Sequence, residues 1–169
     1  MSMLRGRLAR QPETVQDLEL AAESRYWEGT SLALAGESYA AIYLMGYAAE
    51  MWLKLAALRL DGVRPTDPVK SMLPAAKKWL QGQAGVMIDH EMYHSLWFWV
   101  TFLKEKRWWK GKPLDAMMEA RLSQRARRLY GTWWVEMRYR PSMVLEREAQ
   151  SVYDDVTWIR DHYRELWRL

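Results

Sequence analysis

Residues 90–94 read His90-Glu91-Met92-Tyr93-His94, an H-E-x-x-H pattern. On a helix, histidines four apart leave from one face and can hold Zn²⁺, and the glutamate between them stands where it would deprotonate a metal-bound water. Ile88 and Leu96 are uncharged, as suits such a site. The third ligand is the difficulty. The extended histidine form needs Gly at 97 and His at 100, where this chain has Trp97 and Val100. A glutamate ligand falls to Glu105, Glu119 or a more distant residue, and the remaining histidine is His162. Reading Glu91-x-x-His94 as half of a di-iron site needs a second copy on another helix, and the sequence holds none. A zinc-dependent hydrolase with His90 and His94 as ligands and Glu91 as base is therefore the alternative reading. The plainer one makes these residues the polar start of a helix.

A second candidate is Met137-Arg138-Tyr139-Arg140. Two arginines beside a tyrosine can grip a phosphate and stack on a base. A third is the stretch 104–140, which holds eleven Lys or Arg against four acids, a net +7 that leaves −3 for the rest of a chain whose total is +4. Trp108, Trp109, Trp133 and Trp134 interleave with these charges. Cations attract phosphate and exposed aromatics stack on unpaired bases. The competing reading is a solvated helix face over core tryptophans. There is no glycine-rich phosphate loop and no cysteine, so thiolate and disulfide chemistry are excluded and a reducing cytoplasm is expected.

These groups must be positioned by helices. At 169 residues, half of them hydrophobic and including 11 Trp and 9 Tyr, the chain is long enough for a single domain with a sizeable core. So many aromatics also suggest a self-association face. Residues 1–12 are expected to be a loose basic arm, neither signal peptide nor membrane span, with one domain over 13–169. The organising stretch is Glu37 to Leu60, apolar around nearly its whole circumference, which marks a helix buried on several sides. Its small residues, among them Ala41, Gly46, Ala48 and Ala49, let neighbours approach closely. Glu50 and Lys54 are the charges in its middle, four apart in the order that favours a helical ion pair.

Other helices are predicted at 14–35, from Thr66 or Asp67 to Leu80 with a bend at Pro74, from an Asp89 cap to Arg107, from Leu114 to Met137 with an interruption at Gly131, and from Met143 to Trp167. Leu145, Ala149, Val152, Val156, Ile159, Tyr163 and Leu166 form a heptad stripe on the last, either a bundle seam or a dimer coiled coil. No strand, repeat or low-complexity tract is apparent. The fold expected is all-α, an antiparallel bundle of four to five long helices.

A first amphipathic helix leads into a small-residue helix reading GYAAEMWLKLAALR; a later segment reads YGTWWVEMRYRP and precedes a long terminal helix. The order of these signals resembles the HEPN superfamily, helical nucleotide-binding domains that often accompany nucleotidyltransferases. The resemblance covers most of residues 14–165, and Glu50-x-x-Leu53-Lys54 and Arg138-Tyr139 carry it best. Many members are metal-independent ribonucleases that place four to six residues between an arginine and a following histidine. Here Arg138 is followed at the required positions by Met143, Val144 and Leu145, and Arg140 by Leu145, Glu146 and Arg147; Arg160 has His162 only two residues on. The pair is absent, so the resemblance implies the non-catalytic branch.

It implies that Arg138, Tyr139 and Arg140 bind a nucleotide or RNA phosphate in a groove between the central and terminal helices, with Glu50 and Lys54 orienting them and no cofactor. Arg138 pairing with Glu50 as a structural strut stays open beside it. It further implies a homodimer, a nucleotidyltransferase partner and a toxin–antitoxin or phage-defence setting, and relatives with a histidine at the head of the fourth helix favour the plain reading of His90 and His94. A module that only contacts other proteins is the remaining alternative.

Overall fold

A computed structural model describes residues 13–83, 94–139 and 144–169, with only the backbone of Ser71, Arg138 and Tyr139. All regular structure among these residues is helical: α1 (Val15–Leu34), α2 (Ser38–Leu60), α3 (Val69–Gln81), α4 (Leu96–Trp109), α5 (Ala116–Thr132), a 3-10 helix (Val135–Tyr139) and α6 (Glu146–Trp167). A lone antiparallel bridge, Thr14 with Pro68, ties the start of α1 to the loop before α3.

The α2 helix sits in the middle, as its all-round apolarity requires. It touches α1, α4, α6 and the 3-10 helix. Thr14 and Asp17 close a reciprocal cap at the head of α1, satisfying two N–H groups that have no helical partner. Gly36 makes the turn into α2 with φ +81°, a conformation a side chain disfavours. The hairpin is antiparallel and tight. A Cβ on Gly29 would come within 2.7 Å of the Met45 side chain.

The remaining helices do not all alternate in direction. Glu50 meets His94, and Asp61 meets Lys106, so α2 and α4 run parallel at a nearly constant offset. Trp52 stacks on Tyr163, and Arg59 lies over Trp167, so α6 also runs parallel to α2. Against α1 it runs antiparallel, through Tyr163–Glu19, Arg160–Glu23 and Tyr26–Thr157 contacts. Ala149, Val152, Val156, Ile159, Tyr163 and Leu166 are all buried. The heptad stripe is therefore a bundle seam within the chain; Leu145 is half exposed at the helix cap.

Several predicted boundaries shift, each for a local reason. Asp67 does not cap α3: its carboxylate accepts the Arg64 N–H at 2.9 Å and closes the preceding loop, leaving Pro68 at the cap. The α4 helix starts at Leu96 because Ser95 Oγ accepts the Phe98 N–H at 3.3 Å; the predicted cap, Asp89, lies outside the described residues. The α5 helix ends at Thr132, where Trp133 turns extended, and α6 starts at Glu146, whose turn is closed by Glu148 accepting the Leu145 N–H at 2.8 Å.

Candidate functional site

Along α2, Tyr39, Tyr43, Gly46, Glu50 and Lys54 follow at intervals of four, three, four and four, which places them in one stripe. Two distant parts of the chain dock on it. The first is the end of the basic stretch. The Trp133 indole N–H donates to the Tyr43 carbonyl at 3.0 Å. Its ring lies flat over Gly46, where a Cβ would be 2.1 Å away, and meets Tyr47 edge-on at 5.3 Å. The Tyr39 hydroxyl donates to the Met137 carbonyl. The segment leading from Trp133 into the 3-10 helix, which carries the backbone of Arg138 and Tyr139, is thus strapped to α2 at Trp133 and at Met137.

The second is the end of the H-E-x-x-H pattern. Glu50 is 2% exposed. One carboxylate oxygen accepts from Lys54 Nζ, and the other accepts from His94 Nδ1 at 3.1 Å. Because a carboxylate only accepts, Nδ1 carries the proton. Lys54 is buried too, with Nζ 5.9 Å from the Trp99 ring centroid. The His94 side chain is 50% exposed. A buried carboxylate held by an ammonium on one side thus fixes the orientation of an imidazole at the surface.

Glu50 and Lys54 form the expected ion pair, and His94 joins them. Tyr39, where the 3-10 helix is anchored, lies eleven residues before Glu50, about 16 Å along the helix axis. The two oxygens of Glu50 accept from Lys54 and His94; the Arg138 side chain, and with it the strut reading, lies outside the described residues. Arg140, His90 and Glu91 lie outside the described residues. His94 precedes α4 in a turn. His162 donates from Nδ1 to the Trp158 carbonyl at 2.8 Å and stacks on that ring at 4.3 Å. Among the described residues no group of three or more His, Cys, Asp or Glu could hold a metal ion.

The basic stretch divides as well. Lys104 pairs with Glu119 and Lys106 with Asp61. Arg125 and Arg128 both reach Asp155, a buried carboxylate on α6, and that bond holds Arg128 above the usual arginine range. Arg107 is buried against the last carbonyls of α6, and burial lowers its pKa. Trp133 belongs to the core, whereas Trp108, Trp109 and Trp134 are exposed.

Sequence reasoning offered Trp133 as a stacking or core tryptophan but not as the anchor on Gly46, and it missed Tyr39 and Ser95. One signal was present for Trp133: Gly46 sits inside a strong helix pattern, where glycine costs about 1 kcal/mol against alanine and so points to a close neighbour. No protein-family model, curated protein or solved structure matches the chain. No helix among the described residues is long and apolar enough to cross a membrane.

Proposed function

We propose that this is a HEPN-like binding domain that takes nucleotide or RNA phosphate on the 3-10 strap, with Arg138 and Arg140 holding phosphate and Tyr139 stacking on a base. The observation that supports it is the anchoring of that strap. Trp133 on Gly46 and Tyr43, and Tyr39 on Met137, hold the short segment on the central helix. A ligand group on a rigid element loses less freedom on binding. Glu50 and Lys54 act further along the same stripe, by orienting His94. The reading involves no bond making; the arginine–histidine pair of the ribonuclease branch is missing from the sequence. A homodimer and a nucleotidyltransferase partner belong to the same proposal, and for the dimer Leu20, Trp27 and Leu34, exposed at seven-residue intervals on α1, offer a face.

The test is Arg138→Ala, titrated with labelled RNA and with a labelled nucleoside triphosphate. Loss of a charge-assisted contact of about 1.5–3 kcal/mol weakens affinity at least tenfold while the circular dichroism spectrum and melting temperature hold. A variant that unfolds instead makes Arg138 a strut, and unchanged affinity removes it from the site.

A further inference from the structure

The outer face of the α4–α5 hairpin carries groups that the strap does not use. The two helices run antiparallel. Lys104 bonds Glu119 at 2.8 Å, and toward the other end Arg127 lies 5.2 Å over the Trp97 ring. Helical spacing puts Trp97, Thr101, Lys104 and Trp108 in one row on α4, with Ser123, Arg127 and Tyr130 in the facing row on α5. Trp108 is 71% exposed, Tyr130 47% and, just past α5, Trp134 58%. At the opposite end, Lys110 and Lys112 flank Gly111, whose φ of +68° makes the turn. Lys110, Lys112 and Arg127 have no ion-pair partner among the described residues. The carboxylates near this face include Glu119, paired with Lys104, Asp115, which caps α5, Glu105, one turn before Trp108, and Glu136, two residues past Trp134.

Exposed aromatics alternating with cations that have no carboxylate partner among the described residues suit a ligand made of stackable rings joined by phosphates. We infer that the outer face of α4 and α5 binds a single-stranded polynucleotide, whose bases stack on Trp108 at one end and on Tyr130 and Trp134 at the other, with phosphates near Lys110, Lys112 and Arg127. From Trp97 to Trp108 the row spans about 16 Å, room for about five nucleotides at about 3.4 Å each. An anionic membrane would engage the Trp108–Lys112 tip but leave Tyr130 and Trp134, at the far end of the hairpin, unused. The inference shares the phosphate-ligand class of the proposal above but rests on different residues.

The experiment is fluorescence anisotropy of the full chain with labelled oligo-U and oligo-dT of two to twelve nucleotides, a labelled mononucleotide, and vesicles containing phosphatidylserine. Affinity rises with length to about five nucleotides and then levels. Trp108→Ala weakens oligonucleotide binding about tenfold, within the range for loss of one stacked base. Lys110→Ala with Lys112→Ala lowers the salt slope by about one to two. None of these changes alters mononucleotide binding. Affinity independent of length, or unaffected by these variants, overturns the inference; so does vesicle binding abolished by Trp108→Ala without oligonucleotide binding, which assigns the tip to a membrane surface. Arg138→Ala keeps the two readings apart. Loss of mononucleotide binding with no length dependence leaves the strap and removes the hairpin face, and length-dependent binding that ignores Arg138 does the reverse.

Discussion

Gly46→Ala places a methyl group inside the Trp133 ring. The new Cβ would lie 2.1 Å from Cγ and Cδ1 and 2.3 Å from Cδ2, whereas carbon atoms rest about 3.5–4.0 Å apart. The ring must retreat by well over an ångström, and it is buried among core side chains with little room to do so. Overpacking of this kind costs about 1–3 kcal/mol. Moving the indole also strains its bond to the Tyr43 carbonyl, about 1 kcal/mol more. Alanine returns about 1 kcal/mol through helix propensity. The net is a loss of about 1–3 kcal/mol, which for a chain of this size lowers Tm by roughly 3–10 °C. Near-UV circular dichroism should change at the same time, since a tryptophan leaves its packed site. Nucleotide binding should weaken as well, because the strap that carries Arg138 starts at Trp133. The control is the same change in a Trp133→Ala background, where the clash is gone and alanine at 46 is neutral or stabilising, so the pair is strongly coupled. A single variant that melts higher than the parent, as helix propensity alone would have it, refutes this seating of Trp133.

Two further outcomes are expected. Arg107→Met removes the guanidinium that donates to the Leu166 carbonyl at 3.2 Å and the Arg168 carbonyl at 2.7 Å. Urea unfolding should show a loss of about 1.5–3 kcal/mol, and lysine at 107 should recover only part of it because it lacks the planar fork; stability equal to the parent would show that the end of α6 does not depend on this group. Tyr163 is pushed up from 10.0 to about 12, by burial first and then by its hydrogen bond to Glu19. A folded pKa above the unfolded one means its contribution is whole below pH 10 and drains away as pH rises toward about 12. Tyr163→Phe should therefore flatten the decline in stability between pH 10.0 and about pH 12, and an unchanged slope would assign that decline to other groups.

Much of the scaffold was legible in the residue pattern. An all-round apolar helix with small residues has one physical solution, burial among other helices, and α2 takes it. The heptad stripe of α6 and Gly36 at the turn into α2 are local signals of the same kind, because spacing and φ preference act within a few residues. The order Glu50 then Lys54 was enough to expect their pairing, since helical geometry alone brings residues four apart together.

Contacts between distant segments were a different matter. Nothing in the sequence around His94 names Glu50, yet the parallel offset of α2 and α4 sets the two 3.1 Å apart. Arg125 and Arg128 look like ligand-facing cations in a basic run; the approach of α6 turns both toward Asp155. Trp133 and Trp134 are neighbours with the same chemistry, and only the extended turn after α5 buries one against Gly46 and leaves the other at the surface. Periodicity specifies which side of a helix is apolar. It does not specify which charges across the bundle will meet, because that depends on how far each helix slides along its neighbour, and the sliding is decided by the packing of all the side chains at once.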